Sequence, residues 1–473
     1  MRRESYSEIL ALQADLDKGG PGPVEWLAVT QRCIATLDSS GPSLNAVLEW
    51  NPEAECIAAA LAREREVNGR RSPLHGIPVL LKDNIDTQDG MHTSAGSLAL
   101  AGRFALKDAF VAARLRAAGA VLCGKANMTE FANFMADKMP NGYSSRGGQV
   151  ISPWRADADP SGSSTGSAVA VAAGYVPLAI GTETCGSIIS PSAAAGVVGL
   201  KPTVGWVSRA GVIPISPSQD VAGPIARCVA DCALAFQWMA GFDPDDLSTG
   251  LCAGRAVPGL ECLEDGDLRG MRLGLWGLDE DDKPVQQPAF FKAVKALEAL
   301  GAEVVPYSPP RGVGSAMITV LTHEFKPAMD AALRHDREGI RTLAGIAAFN
   351  AAHPEACLRF GQDQFEVSLA VQRPMLTREY VEARQKVRDG LVALRHGFED
   401  LRLDAVVSKV GLMAFPVTGC PALTLPVGVD DETGLPVPLT LNGLPFSEGA
   451  LLRIGAALER AVGIGRRPPL INH

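Results

Sequence analysis

Two clusters of small hydroxyl residues stand close together in this sequence and are the residues best suited to chemistry. The first reads SGSSTGS, residues 161–167, and the second reads TETCGS, residues 182–187. Glycine and serine at this density let the backbone come close to a ligand and aim N–H groups at it. A serine hydroxyl is unreactive until a base takes its proton, so the clusters need a base from elsewhere in the chain.

The segment between the clusters, residues 168–179, is rich in alanine and valine and carries no charge. This composition is typical of a helix or strand that is buried on all sides. Clusters of glycine and serine are more often flexible loops. A flexible linker, however, does not flank one apolar segment and continue into another, as happens here at residues 193–200. The sequence therefore predicts two polar loops held rigidly by a buried spacer.

The stretch from Pro160 to Thr203 closely resembles the signature of the amidase signature family. The matching positions are Ser163-Ser164, Gly181-Thr182, Gly186-Ser187-Ile188 and GVVGLKPT at residues 196–203. Members of this family are serine hydrolases that cleave carboxylic amides with a Ser-Ser-Lys triad. The resemblance implies an α/β fold with a large mixed central β-sheet covered on both sides by helices.

The resemblance also assigns the reacting residues. Residues 74–87, LHGIPVLLKDNIDT, resemble the segment that carries the catalytic lysine of the family, and Lys82 falls on that position. Ser187 is then the nucleophile, Lys82 the base, and Ser163 the bridging serine that passes the proton between them. Ser164 is expected to help hold Lys82. A lysine can serve as a base only if burial or neighbouring charge lowers its pKa by several units.

Two further features follow from the family match. The bridging serine of the family follows a cis peptide, here Gly162-Ser163. The oxyanion hole is expected to consist of the backbone N–H groups of Thr184, Cys185, Gly186 and Ser187. Together these residues predict an acyl-enzyme that water releases.

Two other interpretations of the clusters start from the same residues. Residues 162–166 satisfy G-x-S-x-G, the nucleophile elbow of α/β-hydrolases, but that motif needs a preceding strand and residues 154–160 are polar and irregular. Cys185 could itself be a nucleophile, but no histidine motif accompanies it. The seven histidines lie in no motif, which leaves lysine as the base.

The chain departs from the family pattern at three positions. Glu183 replaces the common aspartate, Cys185 replaces a glycine, and Ile189 replaces an arginine, so the Arg–Asp pair that braces the loop in many members cannot form. This form looks like the branch of peptide amidases and other broad bacterial amidases. It looks less like the glutamine-using component of tRNA-dependent amidotransferases, which is the alternative function. A degenerate binding protein is a third hypothesis. Hydrolysis of simple amides by the pure chain would discriminate among them.

The composition is that of an ordinary globular chain: of 473 residues, 47% are apolar and 21% are charged. The net charge of −9 argues against a nucleic-acid partner. No apolar run reaches the ~18 residues that a membrane span needs, and no apolar core for a secretion signal follows Met1-Arg2-Arg3. Ten scattered cysteines without a CxxC pair indicate reduced thiols and a cytoplasmic protein.

No metal-ligand motif occurs, so we expect neither a metal nor a cofactor. The expected partner is a small-molecule amide substrate, and a homodimer is left open. We predict a single amidase domain, residues 1–473, because no linker interrupts the chain. It comprises an N-terminal helical segment (1–70), the signature core (71–235) and a variable, mostly helical segment over the site (310–400). Strands are predicted at 77–81, 121–124, 272–276, 304–305, 404–407, 422–427 and 435–439.

Overall fold

The fold is built around one mixed sheet of eleven strands, and a two-stranded hairpin lies apart from it. A computed structural model describes residues 7–263, 266–276, 287–336, 339–463 and 468–471. The strands are β1 (Val47–Trp50), β2 (Pro78–Lys82), β3 (Val121–Ala126), β4 (Tyr143–Ser144), β5 (Gly148–Gln149), β6 (Leu178–Glu183), β7 (Val198–Lys201), β8 (Val221–Ala226), β9 (Arg272–Leu275), β10 (Glu303–Pro306), β11 (Ala405–Ser408), β12 (Ala422–Val429) and β13 (Pro436–Asn442).

Helices cover this sheet and extend beyond it. They are α1 (Glu8–Leu16), α2 (Pro23–Cys33), α3 (Ala54–Asn68), α4 (Phe110–Ala117), α5 (Thr165–Ala172), α6 (Ile189–Ala195), α7 (Val229–Met239), α8 (Pro288–Ala299), α9 (Val313–Leu333), α10 (Leu343–Ala352), α11 (Pro354–Cys357), α12 (Asp363–Ala370), α13 (Arg378–Leu401), α14 (Ala414–Val417) and α15 (Glu448–Val462). The mixed α/β architecture that the sequence predicted is confirmed.

The order of strands in the sheet is β1-β3-β2-β6-β8-β7-β12-β13-β11-β9-β10. Strand β2 runs parallel to both β3 and β6, while β8 runs antiparallel to β6. The carboxyl ends of β2 and β6 therefore meet at one edge of the sheet, which is where α/β proteins commonly place a ligand. In the same register Glu183, at the end of β6, lies opposite Val221, at the start of β8.

The predicted buried spacer is confirmed as a helix followed by a strand. Every residue of α5 is buried, and so is every residue of β6. Helix α5 is composed of small residues, TGSAVAVA, so the neighbouring elements can approach its backbone closely. The first hydroxyl cluster leads into α5, and the second begins with the last two residues of β6 and continues beyond it, so this rigid pair fixes both.

The N-terminal segment, predicted as helical, also contains a strand. Residues 47–50 form β1, which pairs antiparallel with β3 at the edge of the sheet. A four-residue edge strand is decided by its pairing partner rather than by its own pattern, so the local sequence did not reveal it. The predicted βαβ unit is confirmed, since β9 and β10 are parallel and α8 connects them.

The segment predicted as mostly helical, residues 310–400, contains α9 to α13. Helix α9 packs against α13 and α12 and contributes residues to two apolar clusters. Among the described residues, none of the helices combines the length and the apolar character that a membrane span requires. All ten cysteines are free.

Candidate active site

Lys82 ends a strand that is buried along its whole length. Its Nζ donates to the Ser163 hydroxyl at 2.8 Å and to the Thr182 carbonyl at 3.1 Å. Burial lowers the pKa of Lys82 to about 7, although the charges of Asp220 and Glu183 oppose that shift. A lysine with this pKa is partly neutral near pH 7, so it can accept a proton.

Ser163 and Ser164 form the turn that leads into α5, and both are fully buried. The Gly162-Ser163 peptide is cis, as the sequence resemblance predicted. A side chain at position 162 would meet the Thr129 hydroxyl at 2.5 Å, so only glycine fits there. The Ser164 hydroxyl shares an acceptor with Lys82, because both donate to the Thr182 carbonyl.

Ser187 lies in the loop between β6 and α6 and is half-buried, unlike the two serines before α5. Its carbonyl accepts a hydrogen bond from the Ser164 N–H at 3.1 Å. Ser187 therefore lies against the residue that follows Ser163, the serine that contacts Lys82. The structure brings Lys82, Ser163, Ser164 and Ser187 together at one edge of the sheet.

The loop that contains Ser187 carries the four residues predicted to form an oxyanion hole. None of the N–H groups of residues 184–187 donates a hydrogen bond to a described residue. Gly186 has a φ of 114°, a conformation that strains other residues, and this turns the backbone just before Ser187. Unpaired N–H groups beside a half-buried hydroxyl are what stabilisation of an oxyanion requires.

Glu183 braces this loop by accepting hydrogen bonds from the backbone beyond Ser187. The Arg–Asp pair of the family pattern is absent from this sequence. The Glu183 carboxylate accepts from the backbone N–H of Ile188 at 2.8 Å and of Ile189 at 3.0 Å. Those two residues lie at the start of α6, where N–H groups have no partner inside the helix. The longer glutamate side chain thus connects the end of β6 to the start of α6 across Ser187.

Cys185 lies within the same loop, and its thiol has a different environment from the Ser187 hydroxyl. Burial, together with the charges of Glu183 and Asp220, raises the pKa of Cys185 to about 12. The side chain packs against the apolar cluster that includes Val320 and Phe415. A thiol with this pKa has almost no thiolate at neutral pH, so it is a poor nucleophile.

Two apolar clusters lie near the loop: Cys185 packs against one, and Ala132 and Ile215 of the other line the same small cavity as Thr184. One cluster contains Phe131, Phe134 and Phe325, and the other contains Phe415 and Cys185. Met317 of α9 contacts both clusters. Beside the first, residues 131–133 form a left-handed turn with φ values of 46°, 55° and 71°.

Comparison with known proteins gives the same family as the sequence pattern. A family model described as Amidase matches residues 28–410 of this chain. The chain belongs to the amidase signature family. It is therefore an amide-hydrolysing enzyme.

Individual members of the family match over nearly the whole chain. A probable amidase of Arabidopsis thaliana is 37% identical over 454 residues, covering 92% of this chain and 86% of the relative. A putative amidase of Schizosaccharomyces pombe is 34% identical over 484 residues, covering 91% of this chain and 82% of the relative. The crystal structure of a peptide amidase from Stenotrophomonas maltophilia superimposes with a TM-score of 0.91 at 42% identity, covering 97% of each chain.

Asp220 was not identified from the sequence, and in this amidase it contacts the loop of residues 184–187. The Thr184 hydroxyl donates to the carboxylate of Asp220 at 2.5 Å. No local pattern in the sequence marks this aspartate. In the described part of the chain, no group of three or more metal-ligating side chains occurs.

Proposed function

We propose that this amidase cleaves a carboxylic amide through an acyl-enzyme on Ser187, with Ser163 as the bridging residue and Lys82 as the base. The observation that carries the proposal is the 2.8 Å contact between the fully buried Lys82 and Ser163, beside the half-buried Ser187. In the proposed mechanism, a proton passes from the Ser187 hydroxyl through Ser163 to the buried lysine.

In the first half of the reaction, neutral Lys82 takes the proton of Ser163 while Ser163 takes the proton of Ser187. The Ser187 oxygen bonds to the amide carbon, and the electron pair of the C=O bond moves to the oxygen. The N–H groups of residues 184–187 stabilise that oxyanion. When the C–N bond breaks, Ser163 returns a proton to the leaving nitrogen and regains one from Lys82. The acyl group remains on Ser187.

In the second half, water replaces the amine. The same path carries a proton from the water through Ser163 to Lys82 as the hydroxide oxygen bonds to the acyl carbon. The ester bond then breaks, Ser187 takes back a proton, and the acid is released. Both halves use the same oxyanion site, so the loop of residues 184–187 acts twice in each turnover.

The similarity to a peptide amidase makes amides of peptides the first substrates to assay. The apolar clusters near the loop support substrates with an uncharged acyl group. The amidotransferase alternative has no specific observation in its favour. A component of the glutamyl-tRNA(Gln) amidotransferase of Chloroflexus aurantiacus is 35% identical over 490 residues, covering 96% of each chain, while the peptide amidase is 42% identical.

The test is hydrolysis of peptide, aliphatic and aryl amides by the purified chain without any partner. We expect measurable turnover that Ser187→Ala reduces by roughly four to six orders of magnitude. Ser190→Ala, which changes an exposed serine of the same segment, is the matched control. Near-normal turnover by Ser187→Ala would refute the nucleophile, and activity that needs a second protein would favour the amidotransferase role.

A further inference from the structure

Asp220 has a buried carboxylate that contacts the loop of residues 184–187, here called the oxyanion loop. It accepts a hydrogen bond from the Thr184 hydroxyl at 2.5 Å through Oδ1. Its other oxygen accepts from the backbone N–H groups of Ile215 and Ser216, each at 2.9 Å. One side chain thus ties the first residue of the oxyanion loop to the loop before β8.

The sheet register explains why these groups meet. Glu183 and Val221 are the last pair between β6 and β8, and the two strands are antiparallel. Thr184 and Asp220 are each one residue beyond that pair, so the hydrogen bond between their side chains continues the pairing past the end of the sheet. The start of the loop is fixed by this contact, since no backbone ladder extends to it.

Charged groups surround Asp220 on several elements. The charge of Asp220 acts on Lys82 at the end of β2, and so does the charge of Glu183, the last residue of β6. Arg209 and Asp220 line the same small cavity, and the Asp246 carboxylate accepts hydrogen bonds from two nitrogens of the Arg209 guanidinium, at 2.8 Å and 2.5 Å.

A second carboxylate, that of Glu324 on α9, contacts the loop before β8. Glu324 accepts from the Ser216 hydroxyl at 2.6 Å and from the hydroxyl of Tyr380 at 2.8 Å. Arg209 is paired with Asp246, and Glu324 is hydrogen-bonded to Ser216 and Tyr380. Lys82 is therefore the cation near Asp220 whose protonation state changes in the proposed reaction. The charge of Asp220 favours the protonated form of Lys82.

We propose that Asp220 is a positioning residue for the amidase reaction: it fixes the oxyanion loop through Thr184 and stabilises Lys82 each time this base holds a proton. The inference rests on the proposed function, since it takes Lys82 as the base and residues 184–187 as the oxyanion site. Asp220 contacts neither the substrate nor the attacking oxygen in this account. It acts through Thr184 and Lys82.

Asp231 provides a matched control within the same chain. It is also a buried aspartate whose pKa burial raises to about 6, as it does for Asp220. Its carboxylate accepts from the Ser7 hydroxyl and from the N–H of Glu8 at 3.1 Å, so it joins α7 to the start of α1. A merely structural aspartate should behave like Asp231.

The experiment compares Asp220→Asn with Asp231→Asn in the full-length enzyme, measuring kcat, KM, thermal stability and the pH profile of kcat/KM. We expect both variants to lose stability. Asp220→Asn alone should lower kcat by roughly tenfold to a hundredfold, because the loop is misplaced. It should also move the acid limb of the profile down by about half a pH unit or more, since Lys82 loses a favourable charge.

Thr184 separates the two parts of the proposal and serves if Asp220→Asn does not fold. Thr184→Val removes the hydroxyl at constant shape and should lower kcat without moving the acid limb. Thr184→Ser keeps the hydroxyl and should lie between the valine variant and the wild type. Equal activity of the valine and serine variants would overturn the role of the Thr184–Asp220 contact.

The outcomes also separate this proposal from the function on which it rests. If Asp220→Asn matches Asp231→Asn in kcat and in its acid limb while Ser187→Ala is inactive, the positioning role is wrong and the mechanism stands. If Ser187→Ala remains active, the proposed function itself fails. The rate at which a fluorophosphonate labels Asp220→Asn across the pH range gives a second reading of the acid limb without an amide substrate.

Discussion

Lys82 and Lys125 lie on the neighbouring parallel strands β2 and β3, and their environments differ in one decisive respect. Both side chains are fully buried, and burial lowers the pKa of both. Lys125 donates to the Ile85 carbonyl at 2.5 Å and to the Thr93 hydroxyl at 2.9 Å. Lys82 donates to a serine beside the half-buried Ser187. A lowered lysine pKa therefore does not by itself identify a base. The proposed assignment of Lys82 rests on its hydrogen bond to Ser163, whose neighbour Ser164 contacts Ser187.

The surroundings of Lys125 are those of a structural counter-charge. Asp83, Asp86, Asp89 and Glu49 all favour its protonated form, and Asp83 is itself fully buried. Removing Lys125 would leave the Asp83 carboxylate without this cation, which is costly inside a protein. The two carboxylates near Lys82, those of Asp220 and Glu183, also favour its protonated form, but each additionally accepts hydrogen bonds from backbone N–H groups of a loop or helix start.

The largest expected difference between the two lysines is in turnover. Lys82→Met should lower kcat/KM by roughly three to five orders of magnitude, because it removes the amine that contacts the Ser163 hydroxyl and, in the proposed mechanism, takes its proton. The variant should be at least as stable as the wild type near pH 7, because methionine avoids the cost of burying an ammonium group. Steady-state kinetics and thermal unfolding check both expectations.

Lys125→Met is the paired control. We expect it to lose stability while the folded protein keeps kcat/KM within about tenfold of the wild type. A Lys125 variant as inactive as the Lys82 variant, at equal folded fraction, would break the distinction drawn between the two lysines.

The next expected effect is the dependence of activity on pH. The base must be neutral, so kcat/KM should fall below about pH 7, roughly tenfold per unit, as Lys82 becomes protonated. Folding stability should change in the same direction. The folded pKa of Lys82, about 7, lies below its usual 10.5, so the unfolded chain binds more protons between these values and stability rises with pH across that window.

The Lys82→Met variant isolates this dependence. Its gain in stability over the wild type should be larger at pH 7 than at pH 10, since the wild-type lysine is no longer penalised at high pH. An acid limb near pH 5, or a gain independent of pH, would contradict a base titrating near neutrality.

The comparison also shows what the sequence could and could not predict. The burial of α5 and the position of Lys82 at the end of β2 follow from local composition and from the family resemblance. The contact between Thr184 and Asp220 joins residues 36 apart in the chain and depends on the register between β6 and β8. Local patterns do not specify such a register. Glu183 is recognisable in the sequence as a departure from the family, but its role depends on the position of α6.

A smaller effect is expected at Cys185, which tests whether the nucleophile is a hydroxyl or a thiol. Cys185→Ser and Cys185→Gly should keep substantial activity, within about tenfold, because the thiol with its pKa of about 12 does not attack. Substrate preference can change, as the side chain packs beside the site. A dead Cys185→Ser enzyme together with an active Ser187→Ala enzyme would reverse the two roles.

The smallest expected effect is that of chelation. If Lys82 is the base, activity needs no metal-bound water, so exhaustive dialysis against EDTA should leave kcat/KM unchanged. Loss of activity that zinc restores would show that the reaction depends on a metal. Lys82 would then not be the base, and the contrast with Lys125 would fail.

Covalent labelling at Ser187 tests the central claim most directly. A fluorophosphonate should add to the wild-type enzyme once, and peptide mass spectrometry should place the adduct on Ser187. The Lys125→Met enzyme should label at a similar rate, and the Lys82→Met enzyme far more slowly, since its Ser163 has no base. An adduct on Cys185, or equal labelling rates in the two lysine variants, would contradict the account.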